Sequence, residues 1–115
     1  MSGRSPKGSH DVELEPPIRT MIDATNRGDT PTLLGAFSDD AVLTDWGRTF
    51  SGKAAIARWN GDENIGAQTR MLVTGVERSG HEVKVSVVVS GGGFNGAGVL
   101  SFELDGRLIT RLVIS

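Results

Sequence analysis

The sequence predicts an α+β fold in which three helices pack on one face of a sheet. Apolar residues recur at helical spacing in the first half of the chain, and from residue 68 onward the chain runs as four strands separated by glycine-rich turns. No helix lies between those four strands, which argues against a doubly wound parallel sheet. The 115 residues, 37% hydrophobic and 23% charged, suit one domain with a substantial core.

The composition excludes several classes of function. Because the chain has no cysteine, it can form neither disulfides nor thiolate metal sites, and it lacks a cysteine nucleophile. Two histidines, His10 and His81, are too few for a persuasive metal cluster, and no cofactor is predicted. The net charge of -2 gives no excess of positive charge that would indicate binding to nucleic acid. No apolar run approaches the ~18 residues of a membrane span or resembles a signal-peptide core, and a cytoplasmic location is expected.

Residues 1–15 are predicted to be a disordered leader, and residues 16–115 the folded domain. The leader is polar and turn-prone and has nothing to bury. Its Gly8-Ser9-His10 segment fits a remnant of cloning equally well, so both interpretations stay open.

Two helices open the domain. The first begins after a pair of prolines and ends at Gly28, which is a typical C-terminal cap. Its apolar face, at i, i+3, i+4 and i+7, consists of Ile18, Met21, Ile22 and Thr25. The second helix is capped by Asp29 or Thr30 and is expected to end near Ser38. It carries Leu33, Leu34 and Phe37.

A strand pair and a third helix follow. Residues 42–46 form the first strand, and residues 48–50 pair with it through a turn at Gly47. Ser51 is expected to cap the third helix. The apolar face of that helix consists of Ala55, Ile56 and Trp59.

Four strands complete the domain, at residues 68–76, 81–90, 97–104 and 107–114. The second of them alternates cleanly, as half-buried antiparallel strands do. Its inward face consists of Val83, Val85, Val87 and Val89. Asp105-Gly106 predicts a two-residue hairpin before the last strand. The outer face is expected to expose Val88, Ile109 and Val113.

Asp45 is the most informative candidate for chemistry. If Leu43 faces the interior, strand alternation places Asp45 on the same face. A carboxylate in an apolar interior is costly unless it is paired, hydrogen-bonded or functional. Asp45 is therefore a candidate general acid/base, and the alternative is a structural carboxylate that caps a turn or pairs with Arg48.

Four short motifs occur in a characteristic order. They are Asn26-Arg27-Gly28-Asp29, Phe37-Ser38-Asp39-Asp40-Ala41, Thr44-Asp45 and Ser51-Gly52-Lys53-Ala54-Ala55-Ile56. Together they resemble the nuclear transport factor 2-like superfamily, which includes ketosteroid isomerases and SnoaL-like polyketide cyclases. The resemblance implies a cystatin-like, cone-shaped fold in which three N-terminal helices pack on a strongly curved mixed or antiparallel sheet. It also implies a pocket for a hydrophobic small molecule and a homodimer formed through the outer sheet face.

The same resemblance places Asp45 where ketosteroid isomerase keeps its catalytic aspartate base. It places Met21 at the position of that enzyme's oxyanion-hole tyrosine, and Leu100 at the position of its protonated aspartate. The chain has no tyrosine at all. Since loss of even one such donor removes much transition-state stabilisation, ketosteroid isomerase activity itself is not expected. Met21 and Leu100 become candidates for an apolar pocket wall.

Four further residues are candidate ligand contacts. Two lie close to Asp45 in sequence, and two lie on or just after the third helix. Arg48 could clamp an anionic or enolate oxygen, or could be a surface arginine paired with Asp45. Trp46 could flank the base and exclude water from it, or pack on the sheet. Trp59 continues the apolar face of the third helix, so it is either core or pocket wall. Glu63 could reach over the cavity as a second acid, or could be a solvated loop charge.

Phe94 and Asn95 lie in the glycine-rich stretch between two of the later strands, and both are candidate ligand contacts. Asn95 could donate a hydrogen bond to a ligand, or occupy a turn position that tolerates positive φ. Because these glycines do not precede a helix, the stretch is not a phosphate loop.

The sequence favours a small SnoaL-like or ketosteroid-isomerase-like enzyme that uses Asp45 on a hydrophobic carbonyl compound. Isomerisation, aldol-type cyclisation and water addition are all compatible with it. The alternatives are a non-catalytic ligand-binding domain and a module that acts through its dimer. An epoxide-hydrolase-like variant would need an arginine between two aspartates. Asp45 and Arg48 supply one aspartate and the arginine, and the sequence indicates no second aspartate.

Overall fold

The structure, a computed structural model, describes residues 13–115. Its elements in chain order are helices α1 (Pro16–Arg27) and α2 (Thr30–Gly35), strands β1 (Phe37–Asp45) and β2 (Arg48–Ser51), helix α3 (Lys53–Glu63), and strands β3 (Arg70–Ser79), β4 (Glu82–Ser90), β5 (Gly96–Asp105) and β6 (Leu108–Ile114). A 3-10 turn, Ile65–Ala67, lies between α3 and β3. This order of elements confirms the α+β prediction.

Within these residues the six strands form one mixed sheet in the order β2-β1-β6-β5-β4-β3. Strands β1 and β6 are parallel, and the other neighbouring pairs are antiparallel. The predicted meander of the last four strands is therefore confirmed. The parallel pair places Asp45, at the end of β1, opposite Ile114 at the end of β6.

Most of the predicted leader, residues 1–12, lies outside the described residues, and its disorder stays a prediction. The segment just before α1 contacts the domain. Leu14 packs against the core. Arg78 on β3 donates to the Glu15 carboxylate at 3.0 Å and to the Glu13 carbonyl at 2.8 Å. Residues 13–15 are thus held against the sheet.

Helix α1 is fixed at its C-terminal end by Gly28 and Asn26. Gly28 adopts φ 71°, the left-handed conformation that favours glycine, and ends the helix as predicted. The Asn26 side chain donates to the Met71 carbonyl at 2.9 Å and accepts from the Met71 N–H at 2.7 Å. Asn26 therefore pairs with the edge strand β3 as a neighbouring strand would.

Helix α2 is shorter than predicted. Asp29 caps it by accepting the Thr32 N–H at 3.2 Å, as expected for an aspartate N-cap. The helix ends at Gly35, and Phe37 begins β1, where it is paired with Ile109 of β6. The prediction of a helix to about Ser38 was wrong, because an apolar residue at helical spacing also suits a buried strand.

Helix α3 begins one residue later than predicted. Its N-cap is Gly52, with φ 88°, whereas Ser51 ends β2 and pairs with Val42. The prediction that Ser51 caps α3 was wrong because strand pairing holds this serine extended. Ile56 and Trp59 are buried, as the predicted apolar face of α3 requires.

A buried polar network joins the three helices. Asn60 on the last turn of α3 and Asn64, the C-cap residue of that helix, are bonded to each other at 3.0 Å. Asn60 donates to the Thr30 hydroxyl of α2 at 3.1 Å, and Asn64 donates to the Thr25 hydroxyl of α1 at 3.1 Å. Because both asparagines are almost fully buried, these bonds fix the end of α3 in position.

The two faces of the sheet differ as the alternation in β4 predicts. Val83, Val85 and Val87 are buried, whereas Val88 is exposed beside its register partner Leu72 on β3. The inner face packs against the helices.

Ile109 departs from the predicted alternation of β6. It was expected to be exposed, but it is fully buried, so that prediction was wrong. Residues Glu103 and Leu104 of β5 pair with Arg111 and Ile109, which leaves Thr110 as an extra residue in β6. Such a bulge reverses the direction of the side chains on one side of it.

None of the helices within residues 13–115 has the length and hydrophobicity of a membrane span.

Candidate functional site

A cavity of about 360 Å³ lies between α3 and the inner face of the sheet. The β1–β2 turn, the end of α3, the 3-10 turn and the loop before β5 all contribute to its lining. Seven of the nine residues proposed from the sequence line it, namely Asp45, Trp46, Arg48, Trp59, Glu63, Phe94 and Leu100. The structure thus brings together residues that are far apart in sequence, from Asp45 to Leu100.

Asp45 lies at the cavity wall with its side chain 13% exposed. Leu43 is fully buried two residues earlier, so both residues face inward as the strand alternation predicts. The Asp45 Oδ2 atom accepts the Trp59 indole N–H at 3.0 Å and an Arg48 N–H at 3.2 Å. Within residues 13–115 its Oδ1 atom accepts no hydrogen bond. Two hydrogen bonds therefore hold Oδ2 in place, while Oδ1 is available to accept a proton or a hydrogen bond.

Arg48 lies between two carboxylates. Its guanidinium forms a bidentate pair with Glu63, with 2.7 Å between Nη1 and Oε2, in addition to its bond to Asp45. The hydrogen bonds between Arg48 and Glu63 raise the pKa of the Arg48 guanidinium and lower the pKa of the Glu63 carboxyl. The second carboxylate beside Arg48 is thus Glu63, the candidate second acid, and the two terminal nitrogens of Arg48 make three hydrogen bonds to the two carboxylates.

Trp59, rather than Trp46, bonds to the carboxylate of Asp45. Trp59 is 3% exposed, so its ring covers that side of the carboxylate. Trp46 is 64% exposed and its ring contacts that of Phe94, with 6.4 Å between the ring centroids. The water-excluding role expected of Trp46 is therefore taken by Trp59. Trp46 and Phe94 lie together at the mouth of the cavity.

Two proposed ligand contacts, Met21 and Asn95, lie outside the cavity lining. Met21 is fully buried in the hydrophobic core. The Asn95 amide donates to the carbonyls of Gly91 at 3.0 Å and Gly93 at 3.1 Å, and its oxygen accepts the Gly91 N–H. Asn95 therefore closes its own loop through these bonds, but it lacks the positive φ that its alternative turn role assumed. Leu100 lines the cavity as expected.

Sequence reasoning missed Asn64 and Thr69 as lining residues. Asn64 is 1% exposed and lines the cavity next to Glu63. The signal was available, because Asn60 and Asn64 are four positions apart and share one face of α3. Thr69 donates its hydroxyl to the Glu63 carbonyl at 3.4 Å, a long bond that nothing in the sequence predicts.

In the part of the chain that the structure describes, no three histidine, cysteine, aspartate or glutamate side chains are grouped so that they could hold a metal ion.

The family of the chain follows from its sequence. The model of the SnoaL-like domain matches residues 18–112, which is most of the chain. The chain belongs to the SnoaL-like family. Among curated proteins, none matches the chain.

Solved structures agree with this assignment. A candidate polyketide cyclase from Sinorhizobium meliloti is 28% identical and covers 95% of this SnoaL-like chain and 100% of its own, with a TM-score of 0.82. A Δ5-3-ketosteroid isomerase from Mycobacterium sp. is 20% identical over 89% of this chain and 93% of its own, with a TM-score of 0.73. A cystatin-fold protein from Novosphingobium aromaticivorans is 18% identical over 86% and 94%, with a TM-score of 0.72. The last two establish likeness of fold alone, and they support the cystatin-like prediction.

Proposed function

We propose that this SnoaL-like protein is an enzyme in which Asp45 acts as general acid/base on a hydrophobic carbonyl compound. The observation that carries the proposal is the environment of Asp45. Its carboxylate lines a cavity, is 13% exposed, and has Oδ2 held by Trp59 and Arg48 while Oδ1 accepts no bond from residues 13–115. A positioned carboxylate with one available oxygen is suited to proton transfer.

The inner wall of the cavity suits an apolar substrate. It includes Met71 of β3, Val87 and Val89 of β4, Leu100 of β5 and Ile114 of β6. Apolar walls with a few convergent polar groups are typical of small-molecule sites. A compound bound against these side chains would have its polar end at the α3 side, where Asp45 lies.

The proposed step is removal of a proton from the carbon next to the carbonyl. Asp45 takes the proton, and the electron pair of the C–H bond moves into the enolate. Where a C=C bond is conjugated with the enolate, return of the proton from Asp45 to the far end of that bond gives isomerisation. Alternatively, the enolate carbon bonds to the carbon of a second carbonyl, and the alkoxide that forms takes the proton back from Asp45, which gives cyclisation. Thr69 is a neutral hydroxyl in the lining that could donate to the enolate oxygen, since its bond to the Glu63 carbonyl is long at 3.4 Å.

Ketosteroid isomerase activity itself is not part of the proposal. Met21 and Leu100 stand where that enzyme's two oxyanion donors would be, and both are apolar and buried. Neither side chain can donate a hydrogen bond, so a steroid enolate would lack the two donors that ketosteroid isomerase supplies.

Addition of water is a second candidate reaction, favoured by the position of Arg48. This arginine contacts both Asp45 and Glu63, so two carboxylates and a cation surround one end of the cavity. Such a set could hold a water molecule between a base and an acid. The glutamate departs from the two aspartates that an epoxide-hydrolase-like site would have, which makes this candidate second.

The proposal is tested by comparing wild type with Asp45→Asn. Apolar ketones and aldehydes are screened for an increase in melting temperature and then for chemical change by NMR. We expect Asp45→Asn to bind the same compounds and to lose turnover. Asp39→Asn is the matched control, because Asp39 lies on the same strand, is fully exposed and lies outside the cavity. Binding without turnover by the wild type would instead identify a non-catalytic ligand-binding domain.

We also propose that two copies of the chain associate through the outer sheet face. Leu72, Val88 and Ala97 are aligned across β3, β4 and β5, and Leu72 and Val88 are 61% and 45% exposed. A row of exposed apolar residues on a sheet face suits an isologous contact with a second copy.

The cone shape and the cytoplasmic location stay proposals. The prediction of a strongly curved sheet was wrong, because the six-stranded sheet of residues 13–115 is not strongly curled.

A further inference from the structure

The charged residues of the cavity carry an excess of negative charge. Among its lining residues Asp45, Asp62 and Glu63 are carboxylates, and Arg48 is the one cation of residues 13–115 in that lining. Arg48 already donates to two of the three carboxylates. An anionic ligand at Arg48 would therefore share this one cation with Asp45 and Glu63 and would lie close to three carboxylates. The site disfavours anions and favours neutral or positively charged groups.

The mouth of the cavity presents two exposed aromatic rings. Trp46 on the β1–β2 turn and Phe94 on the loop before β5 are 64% and 53% exposed. Their centroids are 6.4 Å apart and their planes are inclined at 47°. Two large apolar side chains from separate loops, both in water and next to each other, form a small patch that a ligand could cover.

The backbone conformation at Trp46 is unfavourable for a bulky side chain, so this residue does not stabilise the turn. Trp46 has φ 50° and Gly47 has φ 87°, so both residues of the two-residue turn have positive φ. Asparagine followed by glycine is the pair that such a turn favours, whereas a bulky residue is disfavoured at the first position. A strained, exposed tryptophan at a cavity mouth fits a contribution to function at the expense of stability.

We propose that the cavity mouth binds the alkylammonium group of an apolar ligand, with Trp46 and Phe94 against the cation and the carboxylates of Asp62 and Glu63 nearby. Cations are attracted to the faces of aromatic rings, and tryptophan is the best of these. The excess negative charge of the lining adds to that attraction. This inference deepens the proposed function, because it rests on the same cavity and specifies a positive charge on the ligand.

The test compares three small probes that share a tert-butyl-like shape and differ in charge. They are choline, the neutral 3,3-dimethylbutan-1-ol and the anionic 3,3-dimethylbutanoate, with binding followed by tryptophan fluorescence and NMR titration. Choline is expected to bind about tenfold or more tightly than the neutral alcohol, and the anion most weakly. Equal binding of choline and the alcohol, or preferential binding of the anion, would overturn the proposal.

Two variants locate the effect at the mouth. Trp46→Asn is expected to remove the preference for choline and to raise the melting temperature, because asparagine suits the left-handed turn. A gain in stability excludes misfolding as the cause of weaker binding. Phe94→Leu keeps an apolar side chain and is expected to weaken choline binding as well. Leu108→Asn, an exposed residue of β6 outside the cavity lining, is the control and should leave the preference unchanged.

The outcome is separable from that of the proposed enzyme. A choline preference that depends on Trp46, without turnover of any carbonyl compound, supports the ammonium site and contradicts the enzyme. Turnover that depends on Asp45, without a choline preference, supports the enzyme and contradicts the ammonium site.

Discussion

The indole N–H of Trp59 donates a hydrogen bond to Oδ2 of Asp45 at 3.0 Å and so links helix α3 to the end of strand β1. The bond spans 14 residues of sequence and is largely shielded from water. It explains why a residue that continues the apolar face of α3 is also part of the site. The orientation of Asp45 depends on the position of α3.

Trp59→Phe is expected to lower turnover while retaining most of the binding. Phenylalanine fills much of the same space but cannot donate to Asp45, so the carboxylate loses one of its two fixed contacts. We expect kcat to fall about tenfold, with a smaller change in KM. The loss of buried volume should cost about 1 kcal/mol of stability, measured by urea unfolding. A change in KM alone would show that Trp59 is only a pocket wall.

Glu63→Gln is expected to change how stability depends on pH. Hydrogen bonds from Arg48 lower the pKa of the Glu63 carboxyl below its ordinary value of 4.5. The unfolded chain therefore binds this proton more tightly than the folded protein. The pairing stabilises the fold above pH 4.5, and the contribution is lost as the pH falls through the lowered pKa.

Urea unfolding from about pH 7 to about pH 3 measures this effect. The variant should show a shallower loss of stability in acid than the wild type. Glu77→Gln on β3, an exposed glutamate outside the cavity, serves as the control. Superimposable curves for wild type and Glu63→Gln would contradict the assigned role of the ion pair.

Asn60→Ala is expected to destabilise the protein by about 2 to 4 kcal/mol, because it leaves buried donors without partners. The Asn64 amide and the Ile65 N–H both bond to the Asn60 oxygen. Chemical unfolding measures the loss. Asn95→Ala removes the same atoms from an exposed loop and should cost much less. Similar losses for the two variants would show that the buried network contributes little.

The elements were predictable from sequence where local pattern and tertiary contacts agree. The alternating valines of β4 follow directly from strand periodicity. A two-residue hairpin before β6 was expected from Asp105-Gly106, but its turn residues are Gly106 and Arg107, because Asp105 pairs with Leu108. Phe37 and Ser51 were placed in or beside helices because their local patterns suit both structures. Pairing of Phe37 with β6 and of Ser51 with β1 decided the outcome.

The sequence predicted which residues belong to the candidate site better than it predicted the contacts between them. Asp45 and Arg48 are close in sequence, so their pairing could be expected. The bond from Trp59 and the ring contact between Trp46 and Phe94 depend on how α3 and two loops are placed. Nothing local encodes those distances, and single-residue reasoning therefore assigned the shielding of Asp45 to Trp46.

Leu72→Glu is expected to convert the proposed dimer of this SnoaL-like protein to a monomer that remains folded. A glutamate in the outer-face row with Val88 and Ala97 would place like charges opposite each other across an isologous contact. Sedimentation velocity measures the mass, and circular dichroism checks the fold. Leu108→Glu, at the hairpin end of β6, is a matched control. A wild-type monomer at high concentration would contradict the proposed association.

Exchange of the proton next to a carbonyl tests the central role of Asp45 most directly. Apolar ketones that raise the melting temperature are incubated with the protein in D₂O, and deuterium incorporation at the carbon next to the carbonyl is followed by NMR. Wild type and Asp39→Asn should accelerate exchange well above the buffer rate, whereas Asp45→Asn should bind the ketone and return exchange to the buffer rate. Undiminished exchange with Asp45→Asn, or none with the wild type, would contradict Asp45 as the acid/base of this protein.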